Sequence, residues 1–364
     1  MSFLFLLLAP FLIWSPFADL PLDERRARID VTTMSTPMGR GLLVKTLNAL
    51  MRHLREHGVE TRGSAHKQRL KNYGYYHGYK GYRFVGSASN RLQISSFDEV
   101  IALNQFDMRL KSLLYPHVMF IETALKKYTL EATLSDAGSS SIDAVFSKSL
   151  TSYRDCAGSR RKYAAAMAKR LRLRSEINNL IAYNYEKSPV VSHFYDCDKS
   201  LPLWAVFEIM TLGNFGVFYS CLNSRVRASV AKDLGLPANF NGPALLEVLI
   251  FALKDLRNAI AHNGAIYDVR FKRAKINGAL GQMVYSETGV DGVDFTTITD
   301  YVVLIVYLLR KMGVSKTECT QLVRECAAAM ESLSKGLSIS DCHKILQTNA
   351  RAKLSGLRSF ISRS

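Results

Sequence analysis

The chain has 364 residues, 48% of them hydrophobic, enough apolar material for a proper core, which excludes a disordered tail and a small disulfide-stapled scaffold. Lys and Arg number 48 against 31 Asp and Glu, a formal net charge of +17, so polyanions such as nucleic acid or an anionic membrane surface head the candidate partners. The six cysteines (Cys156, Cys197, Cys221, Cys319, Cys326, Cys342) form no C-x-x-C pair and have no His at zinc-ligand spacing; they read as reduced, mostly buried thiols, and no metal or cofactor is called for.

Residues 3–18 are almost wholly apolar, but the run is shorter than the roughly 20 residues that span a bilayer, is broken by Pro10 and Pro16, and lacks a signal peptide's basic n-region. Arg25, Arg26 and Arg28 follow, and the positive-inside rule would hold the rest of the chain in the cytoplasm even if the segment inserted. A cytoplasmic protein without stable membrane association is expected. Met34 and Met38 offer alternative starts, so residues 1–37 read as a prefix set apart from the rest.

Leu43, Leu47, Leu50 and Leu54 recur at helical spacing up to Gly58, which predicts a helix with a basic outer face. In residues 70–84 five tyrosines alternate with Gly74, Gly78 and Gly81, a composition for turns and short irregular pieces. Ser96 with Glu99 is a capping box opening a long amphipathic helix through Phe106, Leu110, Leu114, Phe120 and Ile121 to Leu130, with a kink expected at Pro116. Residues 135–141 form a small polar loop that opens an insertion. Within it Arg160, Arg161, Lys162, Lys169, Arg170, Arg172 and Arg174 crowd into fifteen residues with no acidic neighbour, which predicts a basic helix unable to neutralise itself and suited to an RNA backbone.

Residues 201–222 contain Glu208 and Asn214 and residues 301–309 are only nine long, so both read as buried helices rather than membrane spans. A helix over residues 245–262 is stopped by Asn263-Gly264, with Gly264 the expected left-handed cap. The Gly-rich stretch 278–292 suggests a short hairpin. Ser315 with Glu318 is a second capping box, followed by one apolar face of Cys319, Leu322, Val323, Cys326, Met330 and Leu333. Strand alternation is nearly absent, so the fold class is all-α: a domain over residues 38–312 with a basic insertion at about 135–200, and a C-terminal helical extension over 313–364.

Phosphate-binding Gly loops, H-E-x-x-H and G-x-S-x-G are missing, which removes the commonest NTPase, metalloprotease and hydrolase readings. What remains is Arg257-Asn258-Ala259-Ile260-Ala261-His262, an R-N-x-x-x-H string. Such a spacing arises about once or twice by chance in a chain of this composition, and Arg52 with His57 is one instance. Context separates the two. Arg52 and His57 lie on a polar face, whereas Arg257 to His262 follow the apolar run Leu245, Leu246, Leu249, Ile250, Leu253. Asn258 and His262 are i,i+4 neighbours, so the amide is placed to orient the imidazole. The chemistry suits metal-independent RNA cleavage: His262 as general acid or base, Arg257 clamping the phosphate, and a 2′,3′-cyclic phosphate with a 5′-hydroxyl as products. One His serves only one side of that proton transfer, so a homodimer is expected.

Three blocks carry a family resemblance: Tyr73-Gly74-Tyr75-Tyr76-His77-Gly78-Tyr79; Phe106-Asp107-Met108-Arg109-Leu110 with Ile121-Glu122; and Leu201-Pro202-Leu203-Trp204 with Glu208, running on to Arg257-Asn258 and Ala261-His262. In that order they resemble the bacterial Abi-like abortive-infection proteins of the AbiD/AbiF type, in the HEPN superfamily. The resemblance implies a helical HEPN core, an R-x4-H RNase site formed where two motifs meet across a dimer, toxicity in anti-phage defence, and for some relatives control by a small non-coding RNA. Many relatives carry Arg and then Trp soon after the motif His; this chain has Ala265 and Tyr267 there, leaving Arg270 as the candidate replacement. The alternative is a catalytically silent HEPN module that binds RNA or a partner and acts as a regulator.

Overall fold

The computed structural model describes residues 46–364. The apolar prefix, its alternative starts and Leu43 lie outside the described residues. Among the described residues there are sixteen α-helices, and strand pairing is confined to isolated bridges such as Glu60 with Ser96 and Phe84 with Arg91. The all-α class read from the sequence holds.

Three short helices open the described chain, α1 (Leu47–Glu56), α2 (Gly63–Tyr73) and α3 (Tyr75–Gly78), followed by a 3₁₀ turn at Lys80–Tyr82. Met51, Leu54, Val59, Leu70 and Tyr79 form a small apolar cluster against Phe97 and Val100. These two residues begin α4 (Phe97–Ala137), 41 residues long. Its capping box forms as the sequence predicts: Ser96 Oγ accepts from the Glu99 amide at 3.3 Å and Glu99 Oε2 accepts from the Ser96 amide at 3.0 Å. The helix is continuous through Pro116, so the missing N–H does not end it. Leu103, Phe106, Leu110, Leu114, Val118, Ile121 and Leu125 are buried along it, at the 3–4 residue spacing of a core-facing stripe, whereas Phe120, expected in that stripe, falls off its face and is exposed.

The insertion holds α5 (Ile142–Lys148), α6 (Arg160–Asn184) and α7 (Pro189–Asp196), and joins the core through Leu173, Ile177, Ile181 and Val191. Residues 201–222 form two helices, α8 (Leu203–Ile209) and α9 (Leu212–Cys221). The break falls at Thr211, whose hydroxyl accepts from the Asn214 amide at 3.2 Å and caps α9. Then come α10 (Ser224–Asp233) and α11 (Gly242–Ala261).

The stretch expected as a hairpin is instead helix α12 (Gly278–Thr288), capped by Asn277 and stopped by Gly289 at φ +73°. The misleading signal was Gly281, which makes no turn. A Cβ there would collide with the carbonyl oxygen of Val293, so this glycine serves close packing inside a helix. In α13 (Ile298–Lys311) every side chain from Ile298 to Leu309 is buried, and α14 (Lys316–Gly336), α15 (Ile339–Leu346) and α16 (Ala350–Arg363) close the fold. The second capping box forms too, with Ser315 Oγ accepting from Glu318 N at 3.2 Å.

Among the described residues no helix is long and apolar enough to cross a membrane. One apolar core runs from Tyr82 to Ile361, and Leu47–Ser364 form one compact unit. The C-terminal helices are part of that core: α14 lies along α4, and α16 packs on α13 and α14.

Candidate active site

Helix α11 delivers the R-N-x-x-x-H string. Its buried stripe of Leu245, Leu246, Leu249, Ile250, Leu253 and Leu256 fixes its rotation, which leaves Arg257 and Asn258 half-buried at its edge and His262 exposed at its C-cap. The end is a Schellman turn: Gly264 N–H donates to Ala259 O at 2.7 Å and Asn263 N–H to Ile260 O at 3.1 Å. The left-handed residue is Asn263, φ +52°, one place before the glycine expected there. At Gly264 a Cβ would meet the Ala259 carbonyl oxygen at 3.4 Å, an ordinary contact.

Arg257 Nη1 donates to Asn258 Oδ1 at 3.3 Å, and Nε stands 3.4 Å from Glu122 Oε2 on α4. Glu122 is 6% exposed and also receives Lys126 Nζ at 3.0 Å, which in turn donates to Met210 O at 2.6 Å. Arg257, Glu122, Thr123, Lys126, Glu208 and Met210 line a cleft of about 370 Å³. One cavity therefore gathers the motif arginine, the acid of the Ile121-Glu122 pair and Glu208 after Trp204. Arg257, Lys126 and Lys127 set three cations against Glu122 and Glu208 in this lining.

His262 does not line that cleft. The expected orientation by Asn258 is not seen: the amide oxygen serves Arg257, while the Asn258 main-chain carbonyl accepts from the His262 amide at 3.0 Å. The turn after His262 is instead fastened to α4. Asp107, with no exposed surface, accepts at Oδ1 from the amides of Ile266 (2.6 Å) and Tyr267 (2.8 Å) and at Oδ2 from Tyr82 Oη (2.8 Å). Lys111 Nζ lies 2.7 Å from Asp107 Oδ2 and donates to Asn263 Oδ1 at 2.9 Å.

Tyr267 is fully buried, stacked on Tyr82 with centroids 5.3 Å apart, and donates to Phe84 O at 2.5 Å. Burial, with Asp107 beside it, pushes the Tyr82 hydroxyl well above the usual tyrosine range. Arg270, the candidate replacement in the sequence, is engaged within this loop. Its Nε lies 2.7 Å from Asp268 Oδ1, its Nη2 donates to Tyr267 Oη at 2.5 Å, and its guanidinium covers Phe84 at 4.4 Å. It is a pin for this loop.

The basic cluster divides. Arg160, Arg161, Lys162 and Arg172 are exposed on α6. Arg170 is turned inward, donating to Leu150 O at 3.0 Å and Phe146 O at 2.8 Å; Arg174 pairs with Asp143 at 2.6 Å; Lys169 donates to Ser220 Oγ at 3.1 Å. The expectation that the cluster cannot be neutralised locally is therefore corrected at Arg174, while Lys169 and Arg170 find uncharged acceptors. At the other R-x4-H string, Arg52 makes a 3.9 Å surface pair with Glu56, and His57 bonds His53 O at 2.8 Å.

Sequence reasoning missed Glu122 and Lys126 as companions of Arg257, and Lys111 as the tie to Asn263. Glu122 and Lys126 do show an i,i+4 signature, but nothing in it points to α11. Neither the curated proteins nor the solved structures yield a match to this chain. A family comparison does, over residues 68–268, described as Abi-like protein. That span covers α4 with Asp107 and Glu122, the insertion, and α11 with the turn after His262, more than half of the sequence, and the chain belongs to the Abi-like protein family.

Proposed function

We propose that this protein is a metal-independent endoribonuclease of the HEPN type, acting in abortive-infection defence. The carrying observation is the end of α11, where Arg257 opens on a cleft beside Lys126 and an exposed imidazole follows five residues later on a braced turn. His262 takes a proton from the 2′-hydroxyl, or gives one to the leaving 5′-oxygen. Arg257 balances the charge that grows on the phosphate as the 2′-oxygen bonds to phosphorus and the P–O5′ bond breaks. A second copy of the chain supplies the complementary His262, so the working unit is a homodimer, and RNA is the substrate.

Single-turnover incubation of RNA in EDTA with wild type beside His262→Ala tests this. Wild type is expected to leave 2′,3′-cyclic phosphate ends and the variant none. One observation favours a second reading, a silent RNA-binding regulator: the Arg257 guanidinium is already engaged by Glu122 and Asn258. RNA binding without cleavage by wild type would establish that reading.

A further inference from the structure

We propose that Lys111 and Asp107 are positioning residues for His262, gripping its turn on both sides and fixing the imidazole relative to Arg257. The inference rests on the nuclease reading for its rate measurement and on the geometry alone for its second readout. The His262 ring makes no hydrogen bond with the described residues, so its placement comes through the backbone. That backbone departs from the helix at Asn263, a left-handed residue at φ +52°, a conformation few side chains adopt.

Lys111 fixes Asn263 through its side-chain oxygen at 2.9 Å, and Asp107 fixes residues 266 and 267 through their amides. The two holders are themselves an i,i+4 pair at 2.7 Å with side chains 6% and 0% exposed. Every carboxylate oxygen of Asp107 has two donors. The ammonium of Lys111 is spent on Asp107, Asn263 and a long contact to Met108 Sδ at 3.9 Å. A buried network with no open valence is stiff, because any rotation leaves a charged group unpaired.

The same helix holds the other half of the motif. Glu122 faces Arg257 from α4, so one continuous helix carries the holders of both Arg257 and the His262 turn. Their relative placement is set by that rod rather than by contact between the two side chains, in keeping with the sensitivity of catalysis to small misplacements.

The test uses Lys111→Met and Asn263→Gly, which delete the two ends of one bond; glycine keeps the left-handed backbone accessible. Single-turnover cleavage at saturating RNA is expected to slow at least tenfold in each folded variant, with RNA Kd within twofold of wild type, and the double variant to be no slower than the worse single. A rate within twofold of wild type, a Kd that weakens in parallel with the rate, or multiplying effects would overturn the proposal. If Lys111→Met does not fold, Asn263→Gly, at an exposed position, carries the test. Absence of cleavage by wild type would sink the nuclease reading separately. Positioning is then read from amide hydrogen exchange of residues 266 and 267 and the His262 ring 1H–13C shifts, where tenfold faster exchange with moved ring signals is expected, and unchanged spectra overturn it.

Discussion

Arg257 Nε faces Glu122 Oε2 across 3.4 Å, and neither atom has a hydrogen-bond partner although both are buried. The pair is held by charge rather than by a closed hydrogen bond, and Lys126 shares the same carboxylate. Glu122 is thus the single buried counter-charge between two cations. Glu122→Ala leaves them facing each other and is expected to cost about 2–3 kcal/mol, below the range for fully buried pairs because Arg257 and Lys126 keep some solvent. Arg257→Met removes the repelled partner and should recover part of that loss in the double variant. Thermal denaturation of the three variants measures this, and additive losses would show that the two residues are not coupled.

The second R-x4-H string gives a control. Among the described residues, Arg52→Ala and His57→Ala remove a solvent-exposed pair, a side-chain bond to His53 O and a ring contact with His53 at 4.1 Å, all at the surface, so each is expected within about 0.5 kcal/mol of wild type in stability. Both should keep full growth inhibition, while Arg257→Ala and His262→Ala lose it. Equal loss from both pairs would place the site elsewhere.

What the sequence made legible was local. The boxes at Ser96 and Ser315, the stripe through Phe106, Leu110, Leu114 and Ile121, and the stop after His262 all depend on neighbours within a turn or two. Contacts spanning many residues left no such mark: Glu122 meets Arg257 from another helix, and Arg170 donates to the main-chain carbonyls of Phe146 and Leu150, acceptors every residue possesses. Gly281 misled for a related reason, since a glycine required by close packing against Val293 spells the same letter as one required by a turn.

Lys353 on α16 and Asp300 on α13 lie 2.5 Å apart with side chains 1% and 0% exposed. Leu354, Leu357, Phe360 and Ile361 bury beside them. Lys353→Met strands the carboxylate and is expected to lower stability by about 3–5 kcal/mol, roughly 4–8 °C in Tm for a protein of this size. Lys353→Met with Asp300→Asn should recover much of it. A single variant within 2 °C of wild type in a melting scan would show that the pair is dispensable to the C-terminal helices.

His117 on α4 is half-buried, and burial holds its pKa below the ordinary value of 6.5, with Glu318 pulling weakly the other way. The unfolded chain therefore takes up the proton first as pH falls. Stability is unaffected by this group above pH 6.5, declines as pH drops below it, and levels off beneath the folded-state value. Tm measured from pH 7.5 to 5 should fall less steeply in His117→Gln than in wild type. Identical slopes would assign the acid sensitivity to other groups.

The basic helix yields the sharpest test of RNA contact, once its inward residues are set apart. Arg160, Arg161 and Lys162 occupy the first turn of α6, where no acid accompanies them and the helix dipole disfavours cations. Folding rewards their charge little, Arg160 making one long contact over the Tyr163 ring at 5.9 Å, so changing them with exposed Arg172 to Ser is expected to leave Tm nearly unchanged. If these four residues contact RNA phosphates, each lost contact lowers the slope of log K against log salt by about 0.7 for a single strand, roughly 3 in all. Arg170→Ser is the contrast, because it abandons two carbonyl bonds and a place over Phe146 at 5.3 Å and is expected to cost about 1.5–3 kcal/mol with little change in slope. Filter-binding titrations across salt, read beside melting curves, separate the two roles. A slope unchanged in the fourfold variant would make the exposed face of α6 a solvated surface and move RNA contact elsewhere, leaving the cleft of Arg257 and Lys126 as the place to look.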